Sequence, residues 1–229
     1  MRIAGIHKNS FVDFPGKIAI VVFTPGCNMN CFYCHNKTLI SGGNEEFIDN
    51  DEVLELLVKR RGFIDGVVIS GGEPTLQKDL EGFLEKVKSL GYAVKLDTNG
   101  TNPHVVENLV QNGLVDYIAM DVKAPFGKYN EICRTNVDVD SIKKSIEIIK
   151  SGKVDYEFRT TVAPGLEMDD IFEIARGIEG ARLYVLQKYR DVSESAVKDF
   201  RNPQFLLDAA VRIKGIVQRV ETRGVAFCA

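Results

Sequence analysis

IAIVVFTPGCNMNCFYCHN, residues 18–36, carries a dense β-branched run straight into a loop holding three of the chain's five cysteines. The run IAIVVFTP (18–25) stops at a Pro-Gly turn, as a buried parallel strand stops at its exit loop. The same grammar recurs in GVVISGG (66–72), AVKLDTNG (93–100), YIAMDVKA (117–124), DYEFRTTV (155–162) and RLYVLQKY (182–189). Each run is short and apolar, and each gives way to glycine or polar residues.

Between the runs lie stretches with a polar start, one apolar face and a terminal glycine, the pattern of a capped surface helix. They are DEVLELLVKRRG (51–62, with Asp49 or Asp51 as cap), LEGFLEKVKSLG (80–91), PHVVENLVQNG (103–113), SIKKSIEIIKSG (141–152) and MDDIFEIARGIEG (168–180). Residues 204–219 read as a last helix, and ETRGV (221–225) as a loop or short strand. Strands alternating with helices predict right-handed βαβ units, in a doubly wound sheet or a barrel. A complete eight-unit barrel takes about 250 residues, so this chain suits fewer units. No glycine-, serine- or proline-rich linker divides it. One domain is expected, with a hairpin in 1–17 closing one end, a core over 18–189, and a helix and tail over 190–229.

Composition excludes some functions. The 29 basic and 32 acidic side chains leave a net charge of -3, without the basic excess that nucleic-acid binders use to displace counterions. No stretch approaches the roughly 20 apolar residues of a membrane span, and the N-terminus lacks the apolar block of a signal peptide. The expectation is a cytoplasmic protein, with neither nucleic acid nor membrane as partner. An odd number of unevenly spaced cysteines suits a disulfide framework poorly, and in a reducing compartment a tight cluster more often binds metal.

The polar residues at the strand ends carry the chemistry. Ligands collect beyond the carboxyl ends of parallel strands in open sheets and barrels alike. Here those ends bear Cys27 and its neighbours, then Gly71-Gly72-Glu73-Pro74, Asp97-Thr98-Asn99-Gly100, Asp121 with Lys123, and Arg159. Cys27, Cys31 and Cys34 can wrap a small inorganic core. Structural zinc wants four tetrahedral ligands, and His35, adjacent to Cys34, is poorly placed to share one ion. Cys133 and Cys228 are distant in sequence and read as ordinary thiols. A cubane iron–sulfur cluster normally takes four cysteines, so three would leave one iron open to a small molecule.

CNMNCFYC resembles the CxxxCxxC motif of the radical S-adenosylmethionine (SAM) superfamily, and the resemblance extends over nearly the whole chain. It implies an α/β fold, a partial (β/α)6 TIM-like barrel with a short N-terminal hairpin, and a [4Fe–4S] cluster whose open iron chelates SAM. In that superfamily the reduced cluster cleaves SAM to methionine and a 5′-deoxyadenosyl radical, which abstracts a hydrogen atom. By the same resemblance Cys27, Cys31 and Cys34 are the catalytic cluster ligands, and Tyr33 packs near the adenine. Gly71, Gly72 and Glu73 match the GGE motif, where backbone groups receive the methionine ammonium. Asp97 and Asn99 match the polar set after the third strand, Asp121 and Lys123 the DxK after the fourth. Arg159 stands where an arginine meets the SAM carboxylate. Gln187 and Tyr189 compete for a place near the ribose, and His35 is as suited to fixing the loop as to chemistry.

The lead-in SFVDFPGKIAIVVFTPGCNMNCFYCHN, with its xxDxPG segment and YCHN ending, is similar to the activating enzymes of glycyl radical proteins. Within that group the lead-in and length are most like the activase of the anaerobic ribonucleoside-triphosphate reductase. The resemblance implies two partners, the large subunit of that reductase and an electron donor such as flavodoxin or ferredoxin. Residues 35–66 add no cysteine, unlike activators that insert further clusters there. A pyruvate formate-lyase-type activase and a compact small-molecule enzyme of the carboxy-deazaguanine synthase type remain alternatives.

Overall fold

The computed structural model describes residues 1–37, 46–151, 153–190 and 203–225. Their strands form one sheet in chain order: β1 (Gly5–Ser10), β2 (Ala19–Thr24), β3 (Gly66–Gly71), β4 (Ala93–Thr98), β5 (Tyr117–Asp121), β6 (Asp155–Val162), β7 (Tyr184–Lys188) and β8 (Val220–Arg223). β1 is antiparallel to β2, and every later neighbour is parallel. All six runs expected as strands are strands. The sheet curls into a partial barrel, open between β1 and β8.

Helices α1 (Asn50–Lys59), α2 (Leu80–Ser89), α3 (Pro103–Gln111), α5 (Val139–Lys150), α6 (Met168–Gly177) and α7 (Pro203–Arg212) cover the outer face, and a short α4 (Tyr129–Cys133) follows β5. Local chemistry sets their starts. The Asp49 carboxylate caps α1 by accepting from Asp51 N, and Asp138 caps α5 by accepting from Asp140 N and Ser141 N. Such caps satisfy the donors that a first turn leaves orphaned. The apolar stripes then bury Val53 and Leu57 on α1, and Ile142, Ile146 and Ile149 on α5.

Two expectations need correcting. The hairpin is not contained in 1–17: β1 finds its partner in β2. The last helix stops at Arg212 rather than 219, and Gly215, at φ 91, helps turn the chain into β8. Part of ETRGV is thus a strand, parallel to β7. Among the described residues no helix is long and apolar enough to cross a membrane.

Inside, the barrel is divided. One wall is apolar, with Phe14, Ala19, Val21 and Val68 packed together. The adjoining wall carries charge. Val68 pairs in register with Lys95, and Lys95 with Tyr117; Lys95 is 2% exposed. Glu157, fully buried, accepts from Tyr117 at 3.1 Å and takes two hydrogen bonds from Arg223, at 2.8 and 2.6 Å.

Candidate active site

The carboxyl ends of β2–β6 open on a cavity of about 380 Å³ lined by Cys27, Cys31 and Cys34. It is also lined by every other sequence-selected site residue: Tyr33, Gly71, Gly72, Glu73, Asp97, Asn99, Asp121, Lys123 and Arg159. Residues separated by more than a hundred positions therefore face one space.

Several cross-links hold the cysteine loop. The Asn36 side chain donates to Gly71 O at 3.1 Å, and Glu73 N donates to Gly26 O at 2.8 Å. Gly72 lies so close to this lead-in that a Cβ there would stand 1.9 Å from Gly26 O; no side chain fits. On the other flank, Asn99 Nδ2 donates to Asn28 Oδ1 at 2.9 Å and reaches Cys27 Sγ at 3.8 Å.

Glu73 lines the cavity, yet its carboxylate is already occupied. Oε1 accepts from Thr75 N (3.1 Å), Thr75 Oγ1 (2.6 Å) and Thr98 Oγ1 (2.8 Å), and Oε2 accepts from Asn99 N (2.6 Å). Burial pushes this carboxyl up, against the pull of its donors. Glu73 thus clips the β3 exit loop to the β4 exit loop, leaving backbone to face the cavity. Glu73→Gln would set an amide N–H₂ against some of these donors. It is expected to cost roughly 1–3 kcal/mol in urea unfolding of the metal-free chain; an unchanged midpoint would show that the clip holds nothing.

The next three strands supply an alternating chain of charge. Lys95 donates to Asp97, Arg159 Nη1 lies 3.5 Å from Asp97 Oδ1, Arg159 Nε donates to Asp121 Oδ1 at 2.8 Å, and Lys123 Nζ lies 3.4 Å from Asp121 Oδ2. Ser70 Oγ donates to Asp97 as well, at 2.9 Å. Burial opposes ionisation of both carboxyls. The Arg159 guanidinium, with Lys95 beside Asp97 and Lys123 beside Asp121, overrides it and holds both below the ordinary value of 3.8. Their contribution to stability is therefore fully present above 3.8 and lost as pH falls through the lowered folded values. The urea midpoint should fall in that acid range, and less steeply in Asp97→Asn. Equal slopes would remove Asp97 from the account.

The three thiols differ. Burial pushes Cys27 and Cys34 up. Cys31 is drawn down to about 6, first by a hydrogen bond with Cys133 and then, against burial, by the Lys123 ammonium. Cys133 is correspondingly raised by that hydrogen bond and by burial. So Cys133 is not the isolated thiol that sequence distance suggested. It is fully buried against Cys31, and nothing in the linear sequence signals the contact. Cys228 lies outside the described residues. Gln187 lines the cavity and Tyr189 does not, while His35 Nε2 stands 3.1 Å from Arg190 O, fastening the loop to the end of β7.

Residues 21–178 match the radical SAM superfamily. The chain belongs to that superfamily. A Methanocaldococcus jannaschii protein named for activating a glycyl-radical enzyme is 39% identical over 88% of this radical SAM chain and 86% of its own length. The pyruvate formate-lyase 1-activating enzyme of Escherichia coli K12 is 30% identical over 74% of this chain and 70% of its own. In fold, Streptococcus suis SuiB bound to S-adenosylmethionine superposes with a TM-score of 0.67 at 15% identity, covering 89% of this chain and 52% of that one.

Radical SAM proteins use a [4Fe–4S] cluster and SAM, and are enzymes of reductive SAM cleavage. The donors here fit such a group. Three free thiols, Cys27, Cys31 and Cys34, line one cavity, and thiolates are the ligands iron–sulfur clusters take.

Proposed function

We propose that this radical SAM protein activates a glycyl radical enzyme by abstracting a hydrogen from one glycine Cα, and that its target is the anaerobic ribonucleoside-triphosphate reductase. The observation that carries the chemistry is the convergence of Cys27, Cys31 and Cys34 with the Asp97–Arg159–Asp121–Lys123 charge chain on one cavity. The activase class is supported by relatives named as activating enzymes, and the reductase as target by the likeness of the lead-in, residues 10–36.

In this reading Cys27, Cys31 and Cys34 hold the [4Fe–4S] cluster. When reduced, the bound group supplies the electron that cleaves the SAM sulfonium and so provides the hydrogen-abstracting radical. The chain's own residues do the placing. Backbone at Gly71, Gly72 and Glu73 receives the methionine ammonium, and Arg159, held by two aspartates, offers its remaining donors to the carboxylate. Lys123 adds positive charge, Asp97, Asn99 and Asp121 fix the wall against which SAM lies, and Tyr33 packs near the adenine. Because these side chains are bonded to one another, little ordering is left to accompany binding, which favours a reactive geometry. Electrons would come from a flavodoxin or ferredoxin.

The test is anaerobic electron paramagnetic resonance of the reconstituted, reduced protein with SAM and the reductase large subunit from the same organism. A glycyl doublet on the partner that requires SAM and Cys31 supports both halves of the proposal. SAM cleavage without a doublet, there or on a pyruvate formate-lyase, would overturn the activase reading in favour of a small-molecule substrate.

A further inference from the structure

A second cavity, of about 500 Å³, adjoins the one at the cysteine loop. Asp13, His35, Arg159 and Gln187 line both, so the two spaces communicate. Val12 and Asp13 follow β1, and Arg223 ends β8, which sets the second space at the gap where the barrel is open. Its walls are cationic: Lys95, Arg159, Arg190 and Arg223 line it, against Asp13 as its one acidic side chain among the described residues. The carboxylates that hold Lys95 and Arg223 lie outside this lining, Asp97 in the cysteine cavity and Glu157 in a third space at the amino ends of β5 and β6. Lys95 gives one donor to Asp97, and Arg223 turns its two terminal nitrogens on Glu157; both cations have further N–H groups. Bulky side chains fill the interior of a closed barrel, whereas here Ala119 stands in register between Asp97 and Glu157. Buried ion pairs are also a weak way to hold a core, since desolvation offsets their attraction. A hollow lined by spare cationic donors suits an anion.

We infer that this cavity is a carboxylate subsite for the substrate, in which Lys95 and Arg223 bind an acidic group borne by the segment that carries the target glycine. The inference rests on the activase reading and adds what the substrate must bring. Lys95 lies two residues before Asp97 on one face of β4, a step of about 7 Å along the strand. An extended segment of that span puts the acid roughly two to four residues from the glycine, either as an aspartate or glutamate side chain or as the chain's own terminus. A guanidinium and an ammonium meet a carboxylate with charge-assisted hydrogen bonds. An amide in its place leaves cationic donors unanswered, and the site discriminates against it. The gap between β1 and β8 lets such a segment enter from the side.

The test uses the reconstituted, reduced chain with SAM and the reductase large subunit of the same organism, and follows the glycyl doublet. In the activase, Glu157→Gln and Arg223→Gln together remove the pair without stranding a buried charge; Lys95→Gln replaces that variant should it fail to fold. In the partner, each aspartate or glutamate within roughly four residues of the glycine is changed to its amide. In a separate arm the partner is lengthened by a few glycines, which moves its terminal carboxylate away. The double variant is expected to need roughly ten times more partner for half-maximal rate, with a smaller fall in the maximal rate. One partner change, side chain or terminus, should cost the wild type the same factor and cost the double variant nothing further, and which change does so tells the two sources apart. Losses that multiply, or an unchanged partner requirement in the double variant, would overturn the inference. So would a partner in which no acid matters. A wild-type chain that cleaves SAM yet makes no doublet overturns the activase reading instead. The cavity is then decided by glutarate, added to the cluster- and SAM-loaded wild type and double variant at matched ionic strength. A melting temperature raised in the wild type alone keeps the carboxylate subsite, whereas no rise, or an equal rise in both, strikes it.

Discussion

A Cys31→Ala chain reconstituted with iron and sulfide is expected to hold no [4Fe–4S] cluster and to cleave no SAM. On the proposed assignment of Cys27, Cys31 and Cys34 as the ligands, one iron would be open, and losing one of the three would strip a second iron of its anchor. Cys31 is the most buried of the three and the one most drawn towards thiolate. The fold should survive, because Asn30, Asn36, Gly26 and Asn28 fasten the loop without the Cys31 sulfur. Metal-free Cys31→Ala is accordingly expected to unfold within about 1 kcal/mol of metal-free wild type, the ordinary cost of a small change at one site. Iron analysis and visible absorbance check the first claim, urea unfolding the second. A cluster at full occupancy in Cys31→Ala would remove Cys31 from the ligand set. Cys27→Ala and Cys34→Ala should behave alike.

Arg159→Met is expected to have the largest effect on stability. Among the described residues Arg159 is the one cation touching both Asp97 and Asp121, and its side chain is 12% exposed. Without it two half-buried carboxylates keep one ammonium each, Lys95 and Lys123. Breaking a buried ion pair from one side costs about 3–5 kcal/mol; because Asp121 is 32% exposed and partly screened by water, a cost of about 2–3 kcal/mol is expected here. SAM affinity should fall roughly ten- to a hundredfold, as for the loss of a charge-assisted hydrogen bond. Arg159→Lys separates the two effects. It keeps the charge but cannot bridge two carboxylates as a planar guanidinium does, so stability should return only in part. Full stability in Arg159→Met would show that the flanking lysines suffice, and unchanged affinity in anaerobic titration would move the SAM carboxylate elsewhere.

The strands β2–β7 were legible because a parallel strand buried on both faces reads as a dense apolar run, and each here ends in a polar signal. The helix start at Asp49 was legible for a similar reason, since a cap is a local event, whereas the helix expected from 141 starts at Val139, after its cap Asp138. β1 and β8 were harder to read. They are edge strands with partly exposed residues, and their pairing depends on neighbours, not on their own pattern. α4, with five residues, is too short to show a period. The cavity lining was legible as a set of residue types, through order on successive strands. What each side chain does there was not: whether Glu73 faces a ligand or clips two loops depends on Thr75, Thr98 and Asn99 closing on it in space. Lys95 sits between Val94 and Leu96 and only the register across β3–β5 turns it into the barrel. Cys133 meets Cys31 through tertiary packing alone.

The fastening of the cysteine loop sets how this protein lives with oxygen. In a zinc finger the metal is the fold, and its loss is unfolding. Here Asn36, Gly26, Asn28 and Cys133 O keep the receptacle in shape with amide and carbonyl groups that oxidants leave alone. Air would therefore empty the protein without dismantling it, and the chain left behind is a vessel ready for refilling once conditions turn anaerobic again.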